Sequence, residues 1–272
     1  AHCPARRGVM ILNSVAELIV RELRAGGSEP AKLNRVLRLL AKHRAAALQG
    51  EVVRRLGTDV LGGPFAGMHF IAHSAEGCHI PKLLGCYEQE LHPFVLGLGP
   101  RNYANILNIG CAEGYYAVGF KRLYPQVNVV ACDTDPNAQR ACAELAARNS
   151  VTLDIRGTFE SAHFVDFPGR TMVWCDIEGA EAALLDPVSA PVLAQMDIVV
   201  ELHPSPESPD VSALPERFRA THEIAILWPR IGRADLPDLF RGLGHLDQLL
   251  AIWEWRSTPT PWAIMLAKPP AA

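Results

Sequence analysis

From about residue 98 onward, the chain alternates short apolar runs with helical stretches, and this pattern constrains the fold more than any other feature. The helical stretches lie at 136–148, 180–195 and 214–220. The apolar runs, each long enough for one buried strand, lie at 106–109, 127–131, 151–155, 171–175, 198–201, 224–227 and 262–267. Such alternation predicts an α/β fold in which helices cover both faces of a mostly parallel sheet. The last two runs have no long helix between them, so one of them is expected to run antiparallel at an edge.

The first 97 residues are predicted to form a helical segment. Ser14 and Glu17 match the capping-box pattern of a helix start, and apolar residues follow at helical spacing. The stretch "AGGSEP" predicts a break, after which Ser28 is suited to cap a second helix and Pro30 to lie in its first turn. Glycine and proline punctuation, ending with "LGLGPR", places the main boundary near residue 98. We therefore predict a helical segment at 1–97, which covers substrate or dimerises, and an α/β domain at 98–272.

Charge and composition exclude several classes of function. Of the 272 residues, the first sixty carry eleven Lys/Arg against five Asp/Glu, which leaves a net charge of −9 on the remainder. The basic part is typical of a solvated helical face or of a surface for an anionic partner, whereas the acidic part would repel a phosphate backbone, so we expect no nucleic-acid partner. No apolar run approaches the roughly 20 residues that span a bilayer, so we expect a soluble, cytoplasmic protein without a membrane partner. The seven scattered cysteines do not predict a disulfide scaffold.

A glycine-containing loop follows the first predicted strand, in the stretch "NILNIGCAEGYYAVGF". Gly110 and Gly114 allow a close approach to the main chain, either by a bound nucleotide-like cofactor or within an ordinary tight strand-to-helix turn. The loop departs from the dinucleotide fingerprint, because Ala112 occupies the middle glycine position and no third glycine follows until Gly119, and this disfavours NAD. The next predicted strand ends near Asp133, whose carboxylate is suited to accept hydrogen bonds from both hydroxyls of a ribose. Loops at the carboxyl ends of parallel strands are where such folds bind ligands.

These motifs resemble a known family. The stretches "NILNIGCAEGYYAVGF", "VVACDTDP" and "VWCDIEGAEAALLDP" are similar to successive cofactor motifs of class I S-adenosylmethionine-dependent methyltransferases, and "DIEGAE" resembles the FkbM-like branch. The resemblance covers about residues 98 to 205 and implies a Rossmann-like seven-stranded sheet with S-adenosyl-L-methionine as cofactor. It implies that the glycine loop passes beneath the methionine portion of the cofactor, and that Thr158 and Phe159 flank the adenine. The cofactor-binding residues so expected are Gly110, Cys111, Gly114, Asp133, Thr158, Phe159 and Asp176.

Candidate catalytic residues lie at predicted strand ends. Methyl transfer is an in-line displacement, so the enzyme has to align a nucleophile, and a hydroxyl nucleophile also needs a base. "VVELHPSP" presents Glu201 and His203 on one side of the fifth strand, and we choose His203 as the general base. A turn histidine and acids favoured by a helix N-terminus are the structural alternatives. The predicted catalytic residues are His203, Asp176 and Glu201, and the predicted substrate residues are Tyr87, Glu88, Glu178 and Glu181.

A metal site is an alternative use of the same acids. Asp176, Glu201 and His203 offer ligands that suit a magnesium- or manganese-like ion. A second cluster, His69, His73, Cys78 and His79, matches no recognised zinc spacing. We predict no metal.

The predicted function is methylation of a small molecule. Methyltransferases that act on base or glutamine amino groups commonly carry an Asn/Asp-Pro-Pro-aromatic motif after the fourth strand, where this chain has "DIEG". The FkbM-like resemblance favours an oxygen of a sugar, polyketide or other secondary metabolite. The alternatives are N-methylation of a small amine or guanidine, which carboxylates would hold, and a noncatalytic cofactor-binding scaffold. A homodimer through the N-terminal helices is a further expectation.

Overall fold

The computed structural model describes residues 4–72, 74, 77–204, 210, 212–230 and 236–269, except for the side chains of 4–13 and 100. Two compact units are formed, one by Ala1–Gly57 with Leu236–Ser257 and the other by Thr58–Asp235 with Thr258–Ala272. The α-helices are α1 Pro4–Arg24, α2 Glu29–Leu56, α3 Ile80–Leu84, α4 His92–Leu96, α5 Tyr115–Leu123, α6 Pro136–Arg148, α7 Glu181–Leu184, α8 Ala213–Glu216, α9 Asp238–Arg241 and α10 His245–Ala251. The compact units divide at residue 57, so residues 58–97 pack with the sheet. The division of function at residue 98 stays a prediction.

The first unit is helical. A break at residues 25–28 separates α1 from α2, and Ser28 is the N-cap residue of α2 with proline in the first turn, as predicted. The predicted helix start at Ser14 is wrong, because α1 already begins at Pro4 and nothing in between interrupts it. Arg44 of α2 donates two hydrogen bonds to Asp247 of α10, at 2.8 and 2.6 Å.

One face of α2 is apolar and exposed. Its members are Leu33, Leu37 and Leu40, each more than 40% exposed. A partner chain on this face, as the homodimer expectation requires, stays a prediction.

Within the described part of the chain, no helix combines the length and the apolarity needed to cross a bilayer.

The second unit contains a seven-stranded sheet, which confirms the predicted Rossmann-like α/β fold. Its strands are β1 Asn105–Ile109, β2 Asn128–Cys132, β3 Asp154–Arg156, β4 Thr171–Cys175, β5 Asp197–Glu201, β6 His222–Leu227 and β7 Trp262–Ala267. Their order is β3-β2-β1-β4-β5-β7-β6. The strands β1 to β5 are parallel, and β7 runs antiparallel to both β5 and β6. The antiparallel strand is therefore one position inside the edge rather than at it, which explains why most of β7 is buried and β6 is largely exposed.

Two predicted elements differ from those observed. The third strand was expected at 151–155 but lies at Asp154–Arg156, since residues 149–151 close the end of α6 through hydrogen bonds to Leu145, Ala146 and Ala147. The single helix expected at 180–195 is broken into α7 and a 3₁₀ turn at Pro191–Gln195. Pro187 and Pro191 cause the break, because proline lacks the N–H that a helix interior requires. Helix α8 likewise ends at Glu216, four residues before the predicted 220. The six described cysteines are free thiols: Cys78, Cys86, Cys111, Cys132, Cys142 and Cys175.

Candidate active site

The glycine loop at 110–114 joins β1 to α5. Gly110 and Gly114 have φ values of +79° and +87°, which favour glycine. A Cβ atom at Gly110 would lie 1.6 Å from the carbonyl oxygen of Asp176, and one at Gly114 would lie 2.6 Å from Sγ of Cys142. The close approach that these glycines permit is therefore made by the protein's own atoms. The tight-turn alternative accounts for both glycines, and the case for a ligand has to rest on other residues.

Asp133 holds the loop from the neighbouring strand. Its Oδ2 accepts a hydrogen bond from the N–H of Ala112 at 2.8 Å, and its Oδ1 accepts one from the N–H of Asp135 at 2.9 Å. Ala112 has φ +45°, an uncommon conformation for alanine, and the bond to Asp133 stabilises it. Each carboxylate oxygen has a second lone pair. The partly buried Asp133 side chain therefore fits the predicted role of accepting two ribose hydroxyls.

Two buried oxygens near the loop lack a hydrogen-bond partner among the described residues. They are Oδ1 of Asn108, in β1, and Oδ1 of Asp176, directly after β4. A buried acceptor without a donor costs about 1–3 kcal/mol, so the site has acceptors that the donors of a bound cofactor would satisfy. The Asn108 side chain was not among the predicted site residues, because an asparagine within an apolar run carries no sequence signal of its own.

The predicted adenine-flanking residues occupy different environments. Thr158 is exposed after β3. Phe159 is buried and packs against Phe164, with ring centroids 4.9 Å apart. Cys111 is also buried. Phe159 and Cys111 thus have packing roles, and cofactor contact by these three residues stays a prediction.

His203 lies inside a ring of carboxylates at the carboxyl ends of β4 and β5. Its Nδ1 donates a hydrogen bond to Oε1 of Glu181 at 3.1 Å, and since a carboxylate only accepts, Nδ1 carries the proton. Glu181 is buried and also accepts hydrogen bonds from the N–H groups of Ile177 and Gly179. The other ring nitrogen, Nε2, lies 3.6 Å from both Glu178 and Glu201, and Nδ1 lies 3.9 Å from Asp176. The structure thus brings together five of the predicted residues.

The carboxylates around His203 keep its imidazole protonated to a higher pH than an ordinary histidine. Burial alone would lower the pKa of His203, but the hydrogen bond to Glu181 and the charges of Glu201, Glu181 and Glu178 raise it above its ordinary value. Burial would raise the pKa of Glu181, but the bonds from His203 and Gly179 hold it below the ordinary value. Burial, together with the charges of Glu201 and Glu88, raises the pKa of Asp176 well above its usual range. Glu181 is therefore a fixed anion that orients the imidazole.

The variant Glu181→Gln is expected to lower the pKa of His203, because it removes the negative charge that is hydrogen-bonded to Nδ1. The imidazole would then remain neutral to lower pH than in the wild type. Titration of the His203 ring signals by NMR measures this shift. Glu178→Gln is the matched control, since its carboxylate is largely exposed and 3.6 Å away, and it should give a smaller shift. An unchanged or higher pKa in Glu181→Gln would contradict this electrostatic account.

Tyr87 and Glu88 approach the site from the segment before β1. Glu88 is fully buried, adopts a left-handed backbone conformation with φ +49°, and accepts a hydrogen bond from the Tyr116 hydroxyl at 2.5 Å. Tyr87 is half-buried and packs edge-on against Tyr115 at 5.8 Å. The carboxylate of Glu88 is therefore enclosed by protein, and its charge contributes to the raised pKa of Asp176. Tyr116 is not among the predicted site residues, because its position within α5 predicts a residue of the hydrophobic core.

A metal ion has one candidate position among the described residues. Ligand atoms of Asp176, Glu178 and His203 all lie within 4.8 Å of one another, so Glu178 replaces Glu201 in the predicted set. Thr260 donates a hydrogen bond to Glu201, whose carboxylate is thereby occupied in part.

In the other histidine cluster, His69 contacts Asp59 and His79 contacts Ser74, whereas His73 lies outside the described residues. Exposed acids often cluster without an ion, so the absence of metal stays a prediction.

The chain is similar in fold to solved methyltransferase structures. No protein-family model matches the chain, and no curated protein matches it. The O-methyltransferase TomG from Streptomyces achromogenes, in complex with S-adenosylmethionine, is 15% identical over 68% of this chain and 82% of that one, with a TM-score of 0.46. A putative O-methyltransferase from Klebsiella pneumoniae is 12% identical over 84% and 99%, with a TM-score of 0.44. An O-methyltransferase from Bacillus cereus in complex with SAH is 10% identical over 64% and 79%, with a TM-score of 0.43. Because these identities and TM-scores are low, the function has to be argued from the residues of this chain.

Proposed function

We propose that the chain is an S-adenosylmethionine-dependent methyltransferase that methylates a hydroxyl group of a small molecule. One observation carries the proposal: a continuous path of contacts joins the glycine loop to His203, the proposed general base. Gly110 packs against the carbonyl oxygen of Asp176, whose carboxylate lies 3.9 Å from the imidazole of His203. Asp133 holds the glycine loop, and Glu181 holds the imidazole of His203. Both therefore lie at the carboxyl ends of the parallel strands, where such folds bind ligands.

The chemistry follows from the arrangement of the side chains. A bound S-adenosyl-L-methionine supplies an electrophilic methyl group on a sulfonium. Glu181 fixes the Nδ1–H tautomer of His203, which leaves Nε2 able to accept a proton from an acceptor hydroxyl. With the cofactor bound, the methyl group would pass from the sulfonium to the acceptor oxygen, and Nε2 of His203 would take the hydroxyl proton. The carboxylates of Glu201 and Glu181 stabilise the imidazolium that results.

The proposed acceptor is a sugar, polyketide or other secondary metabolite. This choice rests on the resemblance of "DIEGAE" to the FkbM-like branch. Tyr87, Glu88 and Glu178 are the proposed substrate residues. Glu178 is the best placed of them to meet the acceptor, because its carboxylate is largely exposed and lies 3.6 Å from Nε2 of His203. Hydrogen bonds from acceptor hydroxyls to these carboxylates would align the reacting oxygen.

The carboxylate ring also favours a second candidate, N-methylation of a small amine or guanidine. Asp176, Glu178 and Glu201 are the acids proposed to hold such an acceptor. Glu178, Glu181 and Glu201 surround a single imidazole, so the ring has a net negative charge even when His203 is protonated. A cationic acceptor would complement that charge. It would have to lose a proton before attack, and His203 is again the group placed to take it.

The test is turnover with S-adenosylmethionine against two panels, one of hydroxyl compounds and one of amines and guanidines. Mass spectrometry is expected to show the gain of one methyl group in the hydroxyl panel, with no loss of rate in EDTA. Methylation confined to the amine panel would favour the second candidate. Loss of rate in EDTA that Mg²⁺ or Mn²⁺ restores would support the Asp176, Glu178 and His203 metal position. Cofactor binding without any turnover would contradict both enzymes and favour a scaffold.

A further inference from the structure

A buried ion pair lies directly against the glycine loop. Glu113, within the loop, is 0% exposed and accepts a hydrogen bond from Nζ of Lys82 in α3, which is 5% exposed. The same ammonium group lies over the rings of Tyr87 and Tyr115, 5.1 and 5.9 Å from their centroids. Both charges are thus enclosed by protein. Glu113 lies within the first cofactor motif but is not one of the predicted cofactor-binding residues, and Lys82 lies outside the motifs. Neither residue belongs to the carboxylate ring.

Stability alone gives little reason for such a pair. Removing two charges from water costs so much that a well-packed apolar pair of similar volume is often as stable or more stable. Buried ion pairs in some proteins instead select one conformation among alternatives. Burial alone would lower the pKa of Lys82, but the charge of Glu113 raises it above its ordinary value, so the ammonium keeps its proton.

The position of Glu113 indicates which conformation is selected. Its neighbour Ala112 has φ +45°, and the Ala112 N–H donates to Asp133. Main-chain bonds from Gly110 and Cys111 to Cys132 fix the start of the loop. Side chains hold its two middle residues: the carboxylate of Asp133 binds the N–H of Ala112, and Lys82 binds the carboxylate of Glu113. Loss of the bond from Lys82 would remove the side-chain restraint on Glu113, directly beside the strained Ala112.

We propose that Lys82 and Glu113 are positioning residues, which act through the loop to hold the backbone of residues 110–114 in the form that binds the cofactor. The proposal rests on the proposed function for its ligand, but the loop conformation can be measured without one. Since Lys82 precedes β1, the segment at 58–97 would contribute to cofactor binding through the glycine loop rather than only covering the acceptor.

The test compares Lys82→Met, Glu113→Gln and the double variant with the wild type. Each single variant leaves one charge buried and unpaired, so its Tm is expected to fall. The double variant removes both charges, and its Tm is expected to return close to that of the wild type. Its Kd for S-adenosylmethionine is nevertheless expected to rise at least tenfold, and amide exchange at Ala112 to accelerate at least tenfold, with exchange in β1 unchanged.

A double variant with the Tm, the Kd and the Ala112 exchange rate of the wild type would overturn the proposal, since the pair would then be only structural. Lys121→Met is the matched control, because it removes another hydrogen-bonded lysine at the far end of α5, where the ammonium donates to the main-chain carbonyls of Pro125 and Val127. It should change neither Kd nor Ala112 exchange. If the double variant does not fold, Lys82→Arg keeps the charge with a different geometry and is expected to raise the same two quantities. If the wild type binds no S-adenosylmethionine, the proposed function fails, and Ala112 exchange alone decides the positioning role.

Discussion

Replacing His203 by alanine is expected to lower the rate of methyl transfer by about 10²-fold or more, because general bases typically contribute that much. The Kd for the cofactor should stay within about threefold of the wild type. The imidazole contacts Asp176, and Asp176 in turn contacts the glycine loop, so His203 does not contact the loop itself in this path. Single-turnover kinetics with a methylated acceptor measure the rate, and calorimetry measures the Kd. Only the chemical step should change.

His203→Gln and Asp176→Asn complete this experiment. Glutamine still reaches toward Glu181 but accepts no proton at neutral pH, so it should lose as much rate as alanine. In the wild type, the rate should fall as the pH drops through the raised pKa of His203, because the imidazolium accepts no proton. If neither the alanine variant nor Asp176→Asn lowers the rate at least tenfold, the catalytic assignment is wrong.

The second large effect is expected for Asp133→Ala, which should raise the Kd for S-adenosylmethionine about 10²-fold. The variant removes the carboxylate that is proposed to accept both ribose hydroxyls, and hydrogen bonds to a charged group contribute about 1.5–3 kcal/mol each. It also frees the Ala112 N–H that holds the loop. Calorimetric titration of the two proteins measures the change.

Asp135→Ala is the control for Asp133→Ala. Asp135 caps α6 through the N–H of Asn137 at 2.8 Å, so its loss should cost about 1 kcal/mol of stability, as for other N-caps. Its Kd should change little, because its carboxylate faces the helix rather than the loop. Equal losses of affinity in both variants would mean that Asp133 acts only through local folding.

Most of the sheet could be predicted from the sequence, because each strand is a local apolar run. Strand β4 and helix α6 lie where the pattern places them, at Thr171–Cys175 and Pro136–Arg148. The position of β7 between β5 and β6 could not be predicted, since strand order depends on contacts across the whole sheet. The break in the helix at 180–195 could have been predicted from Pro187 and Pro191, because two prolines disfavour a continuous helix more strongly than apolar spacing favours one.

The candidate site was predictable only where strand ends set it. Parallel strands align their carboxyl ends, so Asp133, Asp176 and Glu201 had to lie at one edge. The pairing of Lys82 with Glu113 and of Glu88 with Tyr116 joins residues about thirty positions apart, from a segment without regular periodicity. Nothing local in the sequence distinguishes such buried charges from solvated ones.

The central claim is that this sheet edge binds S-adenosylmethionine, and calorimetric titration of the wild-type protein tests it most directly. We predict saturable binding of one molecule per chain with a Kd in the micromolar range, consistent with the 1 μM–1 mM over which enzymes commonly half-saturate. No heat of binding at millimolar S-adenosylmethionine would contradict the claim.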